Sequence, residues 1–213
     1  MPRPFLVLLV AAVTVVAACA EDAADQASPT STAPEPEQGA EEEEGTSAAG
    51  ELEVTMIDAE GAEVGTVSLR PNDAGVRVRA DVKGLAPGFH GFHVHEVGLC
   101  EADAAEGPFT TAKGHFVGEG ASHGDHDGDM PSLFVTEDGR ASSTFTLDTF
   151  SVEELATGDG AAIMIHAGPD NFANIPDRYT AAGSPTPGAD QMTNSTGDAG
   201  ARAACGVIQP AQG

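Results

Sequence analysis

Between Leu52 and Val82 the chain alternates apolar and polar positions with a period of two. Leu52, Val54 and Met56 alternate with Glu53, Thr55 and Ile57. Val64, Thr66 and Ser68 alternate with Gly65, Val67 and Leu69, and Val76, Val78, Ala80 and Val82 with Arg77, Arg79 and Asp81. Side chains two apart on a strand leave the same face, so this pattern predicts strands with one face turned to a core. Glu60-Gly61, Pro71-Asn72-Asp73 and Gly84 to Gly88 read as turns between them. Further strand-like runs are Phe89–Glu96, Leu133–Thr136, Ala141–Leu147, Ala161–His166 and Ala203–Ile208. Ser151–Ala156 reads as one helical turn. Eight short strands with Gly, Pro and Asp turns predict an all-β, antiparallel sandwich or barrel. Val97–Pro131 and Ala167–Arg202 have no period, and loops of that length usually carry function or are disordered.

The pattern changes at the N-terminus. After Met1-Pro2-Arg3, Phe5 to Ala18 is apolar apart from Thr14. Fourteen residues are short for a bilayer span and fit the apolar region of a secretory signal (residues 1–18). The run ends at Val16-Ala17-Ala18-Cys19, which resembles a bacterial lipobox. This predicts cleavage before Cys19, a lipid on its thiol, and a chain exported and anchored to the outer face of the bacterial cell membrane. Ordinary signal cleavage is the alternative. Residues 20–50 carry nine acids and no base. Such composition cannot support a core, so 19–50 reads as a lipidated Cys plus a disordered acidic tether, and 51–213 as one folded domain. An exported domain sits in an oxidising compartment, so the remaining Cys100 and Cys205 are expected to pair.

Charge narrows the classes of partner. The chain has 34 Asp and Glu against 9 Lys and Arg, a formal charge of -25. Removing the tether's nine acids and Arg3 leaves 25 acids against 8 bases, or -17, for residues 51–213. That excludes a broad basic surface for nucleic acid or for docking on anionic lipid, leaving the anchor at Cys19 as the only expected membrane contact.

The seven histidines, His90, His93, His95, His115, His123, His126 and His166, all lie in or beside the two long aperiodic stretches. His93 and His95, two apart on a predicted strand, share a face, and paired imidazoles suit first-row metals. From His115 to Asp129 the chain reads HFVGEGASHGDHDGD, which gathers three imidazoles and a carboxylate within fifteen residues. That set can close a tetrahedral zinc site. Read alone, either group could instead be a solvated polar stretch.

Taken together, GFHVHE (91–96), the 115–129 segment, IHAGPDN (165–171) and GDAGARAACGVI (197–208) resemble the copper/zinc superoxide dismutases, and more narrowly their exported bacterial members, lipoprotein forms included. The resemblance spans roughly residues 51 to 209. It implies an eight-stranded Greek-key β-barrel with two long functional loops, copper and zinc as cofactors, and superoxide anion as substrate. By matching positions, His93, His95, His115 and His166 would hold copper, and His115, His123, His126 and Asp129 would hold zinc, with His115 bridging the two. Asp170 would hydrogen-bond His93 and His123 from outside the metals. Arg202 would attract and orient the anion, and His115 would move a proton. His90 matches a structural histidine, and Cys205 matches the half-cystine that pairs with Cys100. A homodimer is compatible with the resemblance, although the short His95-to-Cys100 spacing matches bacterial members and not the eukaryotic type of dimer interface.

Two features depart from the usual pattern. His123 and His126 are only three residues apart, a shorter zinc subloop than most relatives have, and Arg178 is the only base in 171–200. Two other classes remain open. A copper-storing or copper-sensing module would not require His115 and Arg202. A zinc-capturing lipoprotein would carry zinc at HGDHDGD without copper at His93, His95 and His166.

Overall fold

The computed structural model describes residues 50–118 and 122–209. The expected signal segment, Cys19 and, apart from Gly50, the tether lie outside the described residues. Among the described residues nine strands form: β1 (Leu52–Asp58), β2 (Glu63–Asn72), β3 (Gly75–Lys83), β4 (Gly88–His90), β5 (Phe92–His95), β6 (Leu133–Val135), β7 (Arg140–Leu147), β8 (Ala161–His166) and β9 (Arg202–Ile208). Their ladders are all antiparallel. Seven make one sheet in the order β5-β8-β9-β1-β2-β3-β7, and β4 pairs with β6 in a two-stranded ribbon.

The all-β, antiparallel expectation holds, with nine strands where eight were expected. The run Phe89–Glu96 breaks at Gly91, whose N–H donates to the Gly168 carbonyl (2.9 Å) instead of to a neighbouring strand. The chain thereby passes from the ribbon to the large sheet. The turn expected at Pro71-Asn72-Asp73 is also displaced. β2 runs on through Asn72, which pairs with Gly75, so only Asp73 and Ala74 make the reversal. Pro71 is tolerated because the β1 ladder ends at the Leu52–Leu69 pair, leaving that side of β2 open where an N–H is missing.

Alternation becomes packing as the sequence predicts. Val54, Met56, Val67, Leu69, Val78 and Ala80 are buried, while Glu53, Thr55, Arg77 and Arg79 are exposed. Each large apolar side chain so buried contributes about 1.5–3 kcal/mol. Phe92, Val94, Leu133, Ile163 and Ile165 join the same core. A single helical turn, α1 (Val152–Leu155), buries Val152 and Leu155 beside it. Its start is fixed by a capping box, in which Ser151 Oγ accepts from the Glu154 N–H (3.2 Å) and the Glu154 carboxylate accepts from the Ser151 N–H (2.8 Å).

β5 and β8 differ from the other strands in being buried on both faces. Phe92, Val94, Ile163 and Ile165 point into the main core. The opposite faces carry His93 and His95, with Ala162 and Met164 as their register partners. Two connections cover that second face: 96–132, with a 3-10 turn at Thr110–Ala112, and 167–201, with a short helix α2 (Thr193–Thr196). A small second core of Phe109, Ala112, Ala162, Met164 and Cys205 seals the junction. Cys100 and Cys205 are disulfide-bonded with Cα atoms 5.7 Å apart, closing 105 residues of chain.

Candidate metal centre

β5 is the terminal strand of the large sheet, and the 96–132 connection is laid along its open edge. Phe116 N–H donates to Val94 O (2.8 Å), Val94 N–H to Gly128 O (2.8 Å) and Met130 N–H to Phe92 O (3.2 Å). Isolated bridges accordingly join His95 to His115 and His93 to Asp129. Main-chain pairing therefore brings the 115 and 129 regions to the strand that holds His93 and His95. β8, hydrogen-bonded to the other side of β5, ends at His166.

His93, His95, His115 and His166 converge with ring nitrogens within 4.8 Å of one another, all of them buried. Their tautomers are set from outside. His93 Nε2–H donates to Asp170 Oδ2 (2.6 Å), His95 Nδ1–H to the Lys113 carbonyl (2.9 Å) and His166 Nδ1–H to the Gly200 carbonyl (3.2 Å). In a neutral ring the other nitrogen then carries a lone pair. Those nitrogens, His93 Nδ1, His95 Nε2 and His166 Nε2, together with His115 Nε2, are buried and have no hydrogen-bond partner. Burial pushes His93 down to about 4 and His166 down to about 3, and holds His95 well below the ordinary imidazole range. Neutral imidazoles with converging lone pairs are the form that binds a transition metal.

A second group lies against the first. His115 Nδ1 is 3.0 Å from Asp129 Oδ1 and 3.2 Å from His123 Nδ1, which is itself 3.2 Å from Asp129 Oδ1. His126 Nδ1 is 3.6 Å from Asp129 Oδ2. Donors around a four-coordinate zinc at about 2.0–2.1 Å stand roughly 3.3 Å apart, so the spacing of the set fits a tetrahedral ion. The tightest grouping here is His93, His115, His123 and Asp129, with His126 slightly outside it, its ring 5.5 Å from those of His115 and His123. The tautomer of His93 turns its free nitrogen toward the first group, leaving His126 as the remaining imidazole of the second. His115 faces both groups, Nε2 to one and Nδ1 to the other.

The groups share a carboxylate behind them. Asp170 Oδ1 accepts from His123 Nε2–H (2.8 Å) while Oδ2 accepts from His93. Burial would raise the Asp170 and Asp129 carboxyls, but the imidazole hydrogen bonds overcome it and hold both below the ordinary carboxylate range. Burial likewise opposes charge on His123, yet Asp129 and Asp170 on its two sides raise it to about 9. Without metal, His123 is a protonated ring clamped between two carboxylates. Metal binding there must displace a proton.

Arg202, at the start of β9, is half-buried, and burial lowers its guanidinium without discharging it. Its Nη1 donates to the Phe109 carbonyl and its Nη2 to the Lys113 carbonyl, the same oxygen that orients His95. The guanidinium is close enough to lower His95 and His166 electrostatically. His90 takes no part in either group. Its Nδ1 faces the His166 carbonyl (2.6 Å) and its Nε2 the Ala86 carbonyl (2.8 Å), tying β4 to the end of β8.

Several contributors carry no signal in a residue list. The carbonyls of Lys113 and Gly200 orient two imidazoles, and the N–H groups of Gly124 (2.6 Å) and His126 (3.1 Å) hold Asp129 Oδ2. Phe172, at φ 54°, donates its N–H to Asp170 Oδ1 (2.7 Å). Gly197 matters through absence of a side chain. It sits at φ 60°, and a Cβ there would lie 1.9 Å from Asp170 Oδ1 and 2.3 Å from His123 Nε2.

A family model described as copper/zinc superoxide dismutase matches residues 63–208. The "Superoxide dismutase [Cu-Zn]" of Mycolicibacterium paratuberculosis is 50% identical over 131 residues, covering 58% of this chain and 57% of its own length. That of Photobacterium leiognathi is 36% identical over 170 residues, covering 75% and 87%. This chain thus spans little more than half the length of its mycobacterial relatives, 57% and 54% for two of them. Among solved structures, Cu/Zn superoxide dismutase from Brucella abortus matches with TM-score 0.56 and 28% identity, over 75% of this chain and 99% of that one. A SOD-like protein from Bacillus subtilis matches with TM-score 0.57 and 26% identity, over 73% and 97%.

Proposed function

The chain belongs to the copper/zinc superoxide dismutase family, and from that premise we propose that it converts superoxide to oxygen and hydrogen peroxide. The observation that carries this reading is the convergence of four buried, partnerless imidazole nitrogens from three separate chain segments. Copper fits that set by donor type and protonation, through His93 Nδ1 and the Nε2 atoms of His95, His115 and His166. Zinc fits the adjoining set of His115 Nδ1, His123, His126 and Asp129 by donor type and spacing, which makes His115 a shared ring. Copper bound there would supply the one-electron exchange that oxidises one superoxide to oxygen and reduces a second, with two protons, to hydrogen peroxide.

The chain's own residues do the rest. The Arg202 guanidinium, held by two carbonyls, presents a fixed positive charge that draws and orients a small anion beside the imidazoles. His115 Nε2 takes up a proton and passes it on, with its Nδ1 turned toward Asp129 at 3.0 Å. Asp170 and the Lys113 and Gly200 carbonyls fix the other rings so that their lone pairs face inward. The apolar sequence to Ala18 and the VAAC motif support export and anchoring through Cys19, with superoxide removed at the cell exterior.

The decisive experiment is metal analysis of the purified protein beside a superoxide-consumption assay. One copper per chain, with activity abolished in His93→Ala and His166→Ala, is expected. Zinc without copper, or copper-loaded protein that leaves superoxide unconsumed, would overturn the proposal.

A further inference from the structure

Basic residues are scarce in this chain, and three of them share one concavity. Arg70, Arg77 and Arg79 line a cavity of about 240 Å³ on the solvent face of β2, β3 and β7, with Ser68, Thr144 and Glu51. Arg70 and Arg77 are direct register partners across β2 and β3, and Arg79 has Ser68 and Thr144 as its partners on the two flanking strands. Directly opposite side chains start about 5 Å apart at Cβ, and like charges placed so repel. Arg79 is bound to Asp81 (2.7 Å). Among the described residues, neither Arg70 nor Arg77 is paired with a carboxylate, Glu51 included. Among the described residues, two guanidinium groups without a carboxylate ion pair thus stand face to face in a polar hollow, with two hydroxyls and Glu51 at its lining.

We propose that this hollow is an oxyanion site that takes a phosphate group. Guanidinium forks match phosphate oxygens in pairs, and two such forks with the Ser68 and Thr144 hydroxyls supply more donors than the two oxygens of a carboxylate use. A bound anion removes the repulsion between Arg70 and Arg77. The site is local, so it is compatible with a net charge that excludes a broad basic surface. It also lies at the β2-β3-β7 end of the sheet, whereas His93, His95 and His166 are on β5 and β8 at the other end. A phosphate group held there leaves the metal centre open. The chemistry could come from free phosphate or from a phospholipid headgroup. The inference does not depend on the proposed dismutase activity.

The test titrates inorganic phosphate into the full-length protein at low ionic strength and follows the arginine Nε–H resonances. Those of Arg70 and Arg77 are expected to shift together with an apparent Kd of about 1 mM. Arg70→Gln and Arg77→Gln should each weaken binding roughly tenfold, and Lys83→Gln, on the same face but outside the hollow, should not. A parallel arm compares vesicles of phosphatidylglycerol and phosphatidylcholine. Retention on the first alone, lost in Arg70→Gln, supports the site with a headgroup as its source. Phosphate binding without vesicle retention supports it with free phosphate. Resonance shifts confined to Arg202, or phosphate binding unchanged in the Arg70→Gln and Arg77→Gln variants, would overturn the proposal.

Discussion

Single residues set the metal centre through what they leave unbonded as much as through what they bond. Gly197 is the sharpest instance. Gly197→Ala cannot keep the Asp170–His123 hydrogen bond, because its Cβ would occupy that space. Loss of one such supporting interaction typically costs about 10–100-fold in metal affinity. Zinc affinity of Gly197→Ala, measured by chelator competition, should fall by that amount with copper affinity less affected. Equal affinity in variant and wild type would remove Gly197 from the support of the site. A second consequence concerns protons. His93 and His166 ionise at about 4 and about 3 in the fold, below the ordinary value of 6.5, so the unfolded chain binds more protons between these limits. The metal-free protein should lose stability as pH falls from 6.5 toward 3. His123, raised to about 9, acts in the other direction: its contribution is full below 6.5 and disappears as pH rises through 9. Melting temperature in the presence of chelator should therefore peak near pH 6.5. A flat profile from pH 4 to 9 would contradict this picture.

Elements were legible where their signal is periodic. β1, β3 and β7 have one buried face each, and alternation records that directly, whereas in β2 the register irregularity opposite Met56 and Ile57 puts buried Val64 out of phase with Val67 and Leu69. β4 and β5 read as one strand because both are apolar-rich, while the break depends on Gly91 bonding to Gly168, a contact 77 positions away in sequence. The histidines could be picked out by type, but their meeting could not be read from spacing alone. It follows from the 96–132 connection pairing along the edge of β5, and main-chain pairing of an irregular segment leaves no pattern in side chains. The Lys113 carbonyl, which holds both His95 and Arg202, is invisible for the same reason. The disulfide was easier to foresee, since the expected export, with Cys19 set aside for a lipid, leaves two cysteines to pair. It ties the 96–132 connection to β9 and closes a long loop. The Cys100→Ser/Cys205→Ser protein should be less stable by about 2–5 kcal/mol, a fall in melting temperature of roughly 10 °C. A change below 2 °C would mean that the loops are held by packing alone.

At the scale of the whole molecule, charge and function pull in opposite directions. Residues 51–213 carry a formal -17, which would repel the proposed anionic substrate at long range. Of the positive groups, Arg202 is the one built into the metal centre, and local attraction must offset the general field. In wild-type protein, raising ionic strength should screen the repulsive field and leave the close-range pull of Arg202, so the rate should hold or rise. Arg202→Ala should reduce kcat/KM about tenfold or more, with a steeper gain on adding salt. An unchanged rate in Arg202→Ala would limit that residue to holding the Phe109 and Lys113 carbonyls.

The edge of β5 has a final implication. A terminal strand with open peptide groups is a ready template for another chain, and proteins usually blunt it with charge or bulges. Here the blunting is done by the segment that also presents His115 and Asp129, and ions bound between that segment and β5 would rivet it down. Metal removal should therefore loosen the cover over the open edge of β5, and light scattering should show the metal-free protein associating more readily than the loaded one.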